Sequence, residues 1–309
     1  MLSVSAEDTA RALNFDALIP ALREGFVRDA HTPNRHHHAI DGSSDATLLL
    51  MPSWTEGGYL GVKLVNVFPA NSEAGQPALS SVYILASAVT GEHLAVLDGN
   101  ELTRRRTTGT AALGASYLAR SDSAVLLIVG AGHIGSVAAE AYAAVRDIRT
   151  VLVYNRTAAV AEQLVAELGQ RGMPAKQVTD LSAAVPEADI ISCATLATEP
   201  IISGELLRPG THIDLIGSFR PTMREVDDEC IRRATVYIDS PVAFEEAGDI
   251  AQPVAAGVLD PAAVAGTLPE LCRGELAGRE HDDQITVFKT VGTGLADLAA
   301  ATLVYRSVR

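Results

Sequence analysis

The rhythm of hydrophobic and polar positions changes twice along this chain. The opening segment, MLSVSAEDTARALNFDALIPALREGF, spaces its apolar residues as an amphipathic helix does, with acids between them. A polar stretch follows, RDAHTPNRHHHAIDGSSDA. Next come the apolar runs TLLLMPSW, YLGVKLVNVF, SSVYILASAV and HLAVLDG. Turn residues part several of them, at Glu56-Gly57-Gly58 and at Thr90-Gly91-Glu92, which predicts an antiparallel or mixed sheet. GNELTRRRTTGTAALGASYLARS then reads as a helix leading out of this region.

From about Asp122 strands and helices alternate. AVLLIVG is a strand, HIGSVAAEAYAAV a helix, TVLVYN a strand and TAAVAEQLVAELGQRG a helix ending at glycine. DLSAAVPEA reads as a short helix, and DIISCATL, THIDLIGS and ATVYIDS read as strands. Such alternation predicts an α/β fold, a Rossmann-type doubly wound parallel sheet with helices on both faces. After about Thr286 the chain returns to a helix, GTGLADLAAATLVYRSVR, expected to pack back on the first region. The expected organisation is an α+β dimerisation and substrate domain, residues 1–118 plus 288–309, and a dinucleotide-binding domain, residues 119–287.

Composition narrows the function classes. With 24 basic against 38 acidic residues the formal charge is −14, which supplies no electrostatic footprint for nucleic acid or anionic membrane. A small-molecule role is the better expectation. No apolar run approaches the roughly 18 residues of a membrane span, and the acid-bearing N-terminus is unlike a signal peptide. Cys193, Cys230 and Cys272 lie far apart without CxxC spacing, so they are expected to be buried, reduced thiols in a cytoplasmic protein.

The motif with most chemical content is VGAGHIG, a complete G-x-G-x-x-G between a strand and a helix. Gly130 permits the tight turn, Gly132 lets a pyrophosphate approach the backbone, and Gly135 allows close packing of helix on strand. His133 and Ile134 complete the loop at the helix N-terminus, which faces the anion. The next strand ends VLVYNRTAA. An acid at that point usually binds the adenosine ribose of NAD and repels a 2′-phosphate. Here Asn155 removes the repulsion, Arg156 can grip a phosphate, and Thr157 adds a hydroxyl. The reading favours NADPH, with NADH possible. Thr195, in ATLATEP after the fourth strand of this fold, is expected to line the nicotinamide side by analogy with the fold.

The strings GYLGVKLVNVFPAN, LAVLDGNELTRRRTTGTAAL, IVGAGHIGSVAAEAY, YNRT, ATLATEPII, GSFRPTMREVDDE, YIDS and TVFKTVGTGLADLAAA resemble the ornithine cyclodeaminase/mu-crystallin family. They occur in family order and cover most of the chain from about Arg35 onward. The resemblance implies a homodimer whose first domain, with the C-terminal helix, forms the interface and contributes to the substrate site. It matches Lys63 to the family's active-site lysine and Arg106 to its carboxylate-binding arginine. Arg35 matches a further carboxylate-binding arginine if a one-residue gap is allowed. Arg104 and Arg105 have no counterpart and are expected to face solvent. Lys63 stands inside an apolar strand, where an unpaired ammonium is costly.

Two departures separate this chain from the diamine-binding members. Cyclodeaminases carry an acid in their G-G-D-x-P segment, where this chain has Phe219, and another two residues before Met-Pro, where it has Leu49. Two apolar residues suit a substrate with one charged end and a hydrocarbon ring, walled by Phe219. The expected activity is NAD(P)H-dependent reduction of a cyclic imino acid, of the pyrroline-2-carboxylate or piperideine-2-carboxylate type, to proline or pipecolate. Lys63 and Arg106 are the expected catalytic groups. Ornithine cyclodeaminase, an alanine dehydrogenase-like amino-acid dehydrogenase, and a non-enzymatic binder of small ligands are the alternatives. His36, His37 and His38 beside Asp41 make a poor metal site, because strand neighbours face opposite ways. Asp297 matches a family position near the lysine, with a catalytic or a structural role left open.

Overall fold

A computed structural model describes residues 1–40 and 46–309. They form two compact units, Met1–Arg106 with Thr293–Arg309, and Thr107–Gly292.

The first unit is built on a mixed sheet. Its strands are β1 (Leu2–Val4), β2 (His36–Ala39), β3 (Thr47–Trp54), β4 (Tyr59–Val67), β5 (Leu79–Ser87) and β6 (His93–Asp98), in the order β1-β6-β5-β4-β3-β2. All pairs are antiparallel except β1 with β6. Both turns expected from glycine are present: Gly57 (φ +65°) links β3 to β4 and Gly91 (φ +73°) links β5 to β6. The polar stretch contributes an edge strand, β2, paired with Thr47–Leu50 of β3. Helices Phe15–Val27 and Gly294–Ser307 pack against each other, and Gly294–Ser307 lies along β3, β4 and β5. Thr293 caps the latter helix, its hydroxyl accepting the Ala296 N–H at 3.2 Å. A Cβ on Gly294 would stand 3.0 Å from the Pro52 carbonyl oxygen, so this helix start lies close against β3.

The second unit contains an all-parallel sheet, as the alternation predicts. It comprises β7 (Val125–Val129), β8 (Thr150–Tyr154), β9 (Ala175–Gln177), β10 (Ile190–Cys193), β11 (His212–Leu215), β12 (Ala234–Ile238), β13 (Gly266–Thr267) and β14 (Ile285–Lys289). The order β13-β12-β14-β11-β10-β7-β8-β9 reverses direction between β7 and β10, the switch point at which such sheets bind ligands. Two expectations need correction. The chain does not turn helical at Thr286: β14 lies between β11 and β12, and all five of its residues are buried. A strand buried on both faces shows no alternation, so periodicity does not reveal it. The helix after the glycine loop is also shorter than expected, one 3₁₀ turn Gly135–Val137 followed by Ala138–Ala143. Just beyond it the Arg146 guanidinium donates to the carbonyls of Ala115, Ser116 and Ala119, capping the C-terminus of helix Gly99–Leu118.

The cysteines are free thiols, with Cys193 and Cys230 buried and Cys272 only half-buried. Among the described residues no helix is long and apolar enough to cross a membrane.

Candidate active site

In the first unit the register of the sheet brings the cationic residues together. Met51 pairs with Lys63 and Lys63 with Tyr83, so these three side chains share one face of the sheet. Asp297 lies one turn into the C-terminal helix and meets Lys63 there. The Lys63 ammonium stands 3.0 Å from Asp297 Oδ1 and 2.9 Å from Oδ2. Arg106, from helix Gly99–Leu118, places Nε 2.7 Å from the same Oδ1. Lys63 is 2% exposed, Arg106 5% and Asp297 0%, so two buried cations meet at one buried carboxylate.

Burial dominates the electrostatics. Burial pulls the Lys63 ammonium down from 10.5 to about 7, and the Arg106 charge pulls the same way. Asp297 opposes the fall, while Arg35 adds a smaller downward push. Arg35 is half-buried and contributes to the field at Lys63. Tyr83 carries no signal of its own in the sequence; its hydroxyl is fully buried without a hydrogen-bond partner among the described residues, and its ring fills the space a Cβ on Gly61 would need. Burial, then the Asp297 charge, push the phenol well above its ordinary value, so it stays protonated.

Other first-unit expectations change. Arg105 is not solvent-facing: its side chain is 14% exposed, Nε donates to Glu101 at 2.7 Å, and its guanidinium lies over the Phe15 ring. Arg104 is half-buried on the same Glu101. His36 and His38 share one side of edge strand β2 with their rings in T-shaped contact, while Asp41 lies outside the described residues. No group of three metal-ligating side chains occurs among the described residues. Leu49 stands on the same sheet face as Met51 and Lys63.

In the second unit the glycine loop has the shape a dinucleotide needs. Gly130 takes φ +98° at the end of β7, and a Cβ there would stand 2.6 Å from the Ala194 carbonyl oxygen. A Cβ on Gly135 would stand 1.8 Å from the Gly130 carbonyl oxygen, whereas one on Gly132 meets nothing within 4 Å. The loop is therefore closed at its first and third glycines and open over the second, where a pyrophosphate would lie. His133 is exposed and Ile134 half-buried in the same loop. Asn155 serves the loop itself: Oδ1 accepts the Ala131 N–H at 3.1 Å and Nδ2 donates to the Thr157 carbonyl at 3.0 Å. An aspartate would lack the second of these bonds. Arg156 is exposed and without a partner among the described residues, and the Thr157 hydroxyl is not used to cap the following helix. Thr195 gives both its N–H and its hydroxyl to Glu225. Phe219 is 46% exposed with the Arg220 guanidinium 5.9 Å from its ring centre.

These features define a chain that joins a Rossmann unit to a unit with a buried Lys63–Asp297–Arg106 cluster. It belongs to the ornithine cyclodeaminase/mu-crystallin family, whose model matches residues 2–309. It is 37% identical to the Delta(1)-pyrroline-2-carboxylate reductase of Bacillus cereus, covering 99% of this chain and 96% of that one. The solved structure of Thermococcus litoralis Delta(1)-pyrroline-2-carboxylate reductase with NADH and L-proline is similar with a TM-score of 0.94 at 31% identity, covering 100% of this chain and 97% of that one. An archaeal alanine dehydrogenase dimer with bound NAD is similar with a TM-score of 0.91 at 30% identity, covering 100% and 96%.

The depressed Lys63 makes a prediction about stability. Between about 7 and 10.5 the unfolded chain holds a proton that the folded chain releases, so this group adds stability as pH rises through that window. At pH 7 it weakens the fold. Lys63→Met is expected to raise unfolding stability at pH 7 by about 1–2 kcal/mol while abolishing activity. Urea unfolding at pH 7 and pH 9 checks this; a less stable variant at pH 7 contradicts it.

Proposed function

We propose that this protein is an NAD(P)H-dependent reductase of cyclic imino acids of the pyrroline-2-carboxylate and piperideine-2-carboxylate type, forming L-proline or L-pipecolate. The observation that carries the proposal is the buried cluster in which Asp297 faces both Lys63 and Arg106. Two buried cations meeting at one carboxylate suit a substrate carboxylate and no second ammonium. Leu49, on the lysine face of the sheet, supplies no acid for a diamine, and neither does Phe219.

The residues divide the work as follows. Arg106 and Arg35 hold the substrate carboxylate, with Lys63 beside them. The arriving negative charge offsets the cations that depress Lys63, so its Nζ regains a proton. That proton is then held toward the imine nitrogen, favouring the iminium form. Holding the reacting partners at near-attack distance supplies further rate. When bound, the reduced nicotinamide supplies the hydride that adds to the C=N carbon. Tyr83 stays neutral and closes the floor of the cluster over Gly61.

NADPH is the preferred cofactor in this reading, supported by the open glycine loop, the absence of an acid at the end of β8, and exposed Arg156 and Thr157. The protein acts as a cytoplasmic homodimer. The sheet face of the first unit opposite Lys63 supports the dimer, because it carries Leu50, Trp54, Leu60, Val62, Val82 and Ile84, with Leu60 and Val82 each over a third exposed. The three free thiols suit a reducing compartment.

NADPH oxidation with pyrroline-2-carboxylate and piperideine-2-carboxylate, run beside NADH, tests the activity. Turnover with either imine is expected, and Arg156→Ala should lower the NADPH-over-NADH preference about tenfold by removing one phosphate-binding cation. Ammonia release from ornithine with NAD and no imine reduction contradicts the proposal in favour of a cyclodeaminase. Turnover only with an open-chain 2-oxo acid and ammonia points to an amino-acid dehydrogenase. Sedimentation velocity checks the dimer: Val62→Lys should yield a monomer, and a wild-type monomer contradicts this part.

A further inference from the structure

Behind the loops that follow β10 and β11 lies a set of buried ionisable groups used by neither the cationic cluster nor the glycine loop. Glu225, fully buried, engages both loops with its two oxygens. Oε1 accepts the N–H and the hydroxyl of Thr195 at 2.7 and 2.8 Å, and Oε2 accepts the Gly217 N–H at 2.8 Å. The Glu225 N–H in turn donates to Asp249 Oδ1 at 2.7 Å, and buried Lys289 places Nζ 3.5 Å from Asp249 Oδ2. The Asp249 N–H donates to the Ser218 hydroxyl at 3.3 Å, and that hydroxyl donates to the Met223 carbonyl at 2.9 Å.

Backbone packing shows what this carboxylate holds in place. A Cβ on Gly217 would stand 2.1 Å from the Thr195 carbonyl oxygen and 2.5 Å from Glu225 Oε1. A Cβ on Gly130 would stand 2.6 Å from the Ala194 carbonyl oxygen and 3.0 Å from Thr195 Cγ2. The loops after β7, β10 and β11 are therefore stacked at the switch point, with the Thr195 loop in the middle. Leu196, next in that loop, is 77% exposed. A charged acceptor holds its donors roughly twice as strongly as a neutral one. Keeping that charge buried is costly: burial and then Asp249 push Glu225 up to about 7, with Lys289 opposing. A core with only packing to do has no need of such a group.

We propose that Glu225 is a positioning residue for the reaction, its carboxylate fixing the Thr195 and Gly217 loops as the bed of the nicotinamide half of the dinucleotide. This rests on the dinucleotide reading above. In a doubly wound sheet the dinucleotide crosses the switch point, with the adenosine ribose read at the end of the strand corresponding to β8. The nicotinamide half then falls on the β10 and β11 side, over the loops Glu225 holds.

Glu225→Gln keeps the shape and removes one acceptor. Its amide oxygen still receives Thr195, but its NH₂ faces the Gly217 N–H, donor against donor. Calorimetric titration of the full-length protein with NADH and with ADP-ribose, which lacks nicotinamide, separates the two halves of the site. ADP-ribose should bind the variant as it binds wild type, while NADH affinity and kcat each fall about tenfold, as expected for one unsatisfied buried group. Thr195→Val, which removes only the hydroxyl, should show a smaller loss of the same kind. The double variant should lose more than Glu225→Gln alone, because the glutamine oxygen still accepts the Thr195 hydroxyl that valine removes. Should Glu225→Gln not fold, Thr195→Val decides alone: a loss for NADH without a loss for ADP-ribose supports the proposal, and equal affinities overturn it. Wild-type NADH affinity and kcat in a folded Glu225→Gln overturn it, and so does a parallel loss of both ligands. A wild-type protein that binds neither ligand, and does not bind NADPH either, overturns the dinucleotide reading itself.

Discussion

The first unit is organised around a single carboxylate shared by two cations where water is excluded. A buried ammonium is tolerated only with a partner held in good geometry. The geometry here comes from elements far apart in sequence: Lys63 from the middle of β4, Arg106 from helix Gly99–Leu118, and Asp297 from the last helix. The Thr293 cap and the close approach of Gly294 to Pro52 set the start of that helix, and so set where Asp297 meets the sheet. A register slip of one residue in β4 would turn Lys63 to the opposite face. Burial and the Arg106 charge outweigh Asp297 and leave Lys63 able to change protonation near neutral pH.

The second unit meets a different demand, that of letting an anion approach bare backbone. Gly130 and Gly135 are fixed by neighbouring carbonyls, Gly132 is open, and Asn155 ties the loop to the turn after β8. In the proposed reading, the amide that spares a 2′-phosphate from repulsion also braces the loop beneath the pyrophosphate. Beneath the other side of the switch point the charged network around Glu225 braces Thr195 and Gly217.

The features legible in the sequence are those whose physical cause is local. The strand–glycine–helix unit, the missing acid at Asn155 and the two glycine turns each depend on a few adjacent residues. Lys63 was conspicuous because a lone ammonium in an apolar strand demands an explanation, but its partner is 234 positions away and only the folded chain supplies it. Tyr83 gave no local signal, since its relation to Lys63 is a matter of strand register. Arg105 looked like a surface charge, and its burial depends on Phe15 and on the Leu13 carbonyl of the N-terminal segment. Strand β14 was hidden for the reason that makes it central, burial on both faces, and Lys289 at its end disguised it further.

The central claim is that burial and the Arg106 charge hold Lys63 near 7 and that a ligand carboxylate recharges it. The chain has three lysines, Lys63, Lys176 and Lys289, so an NMR titration of lysine side chains labelled with ¹³C at Cε can be assigned by single Lys→Arg variants. The account predicts that Lys63 titrates near 7 in the free protein and distinctly higher with saturating L-proline. Titration at the ordinary lysine value of 10.5, unmoved by proline, would contradict it.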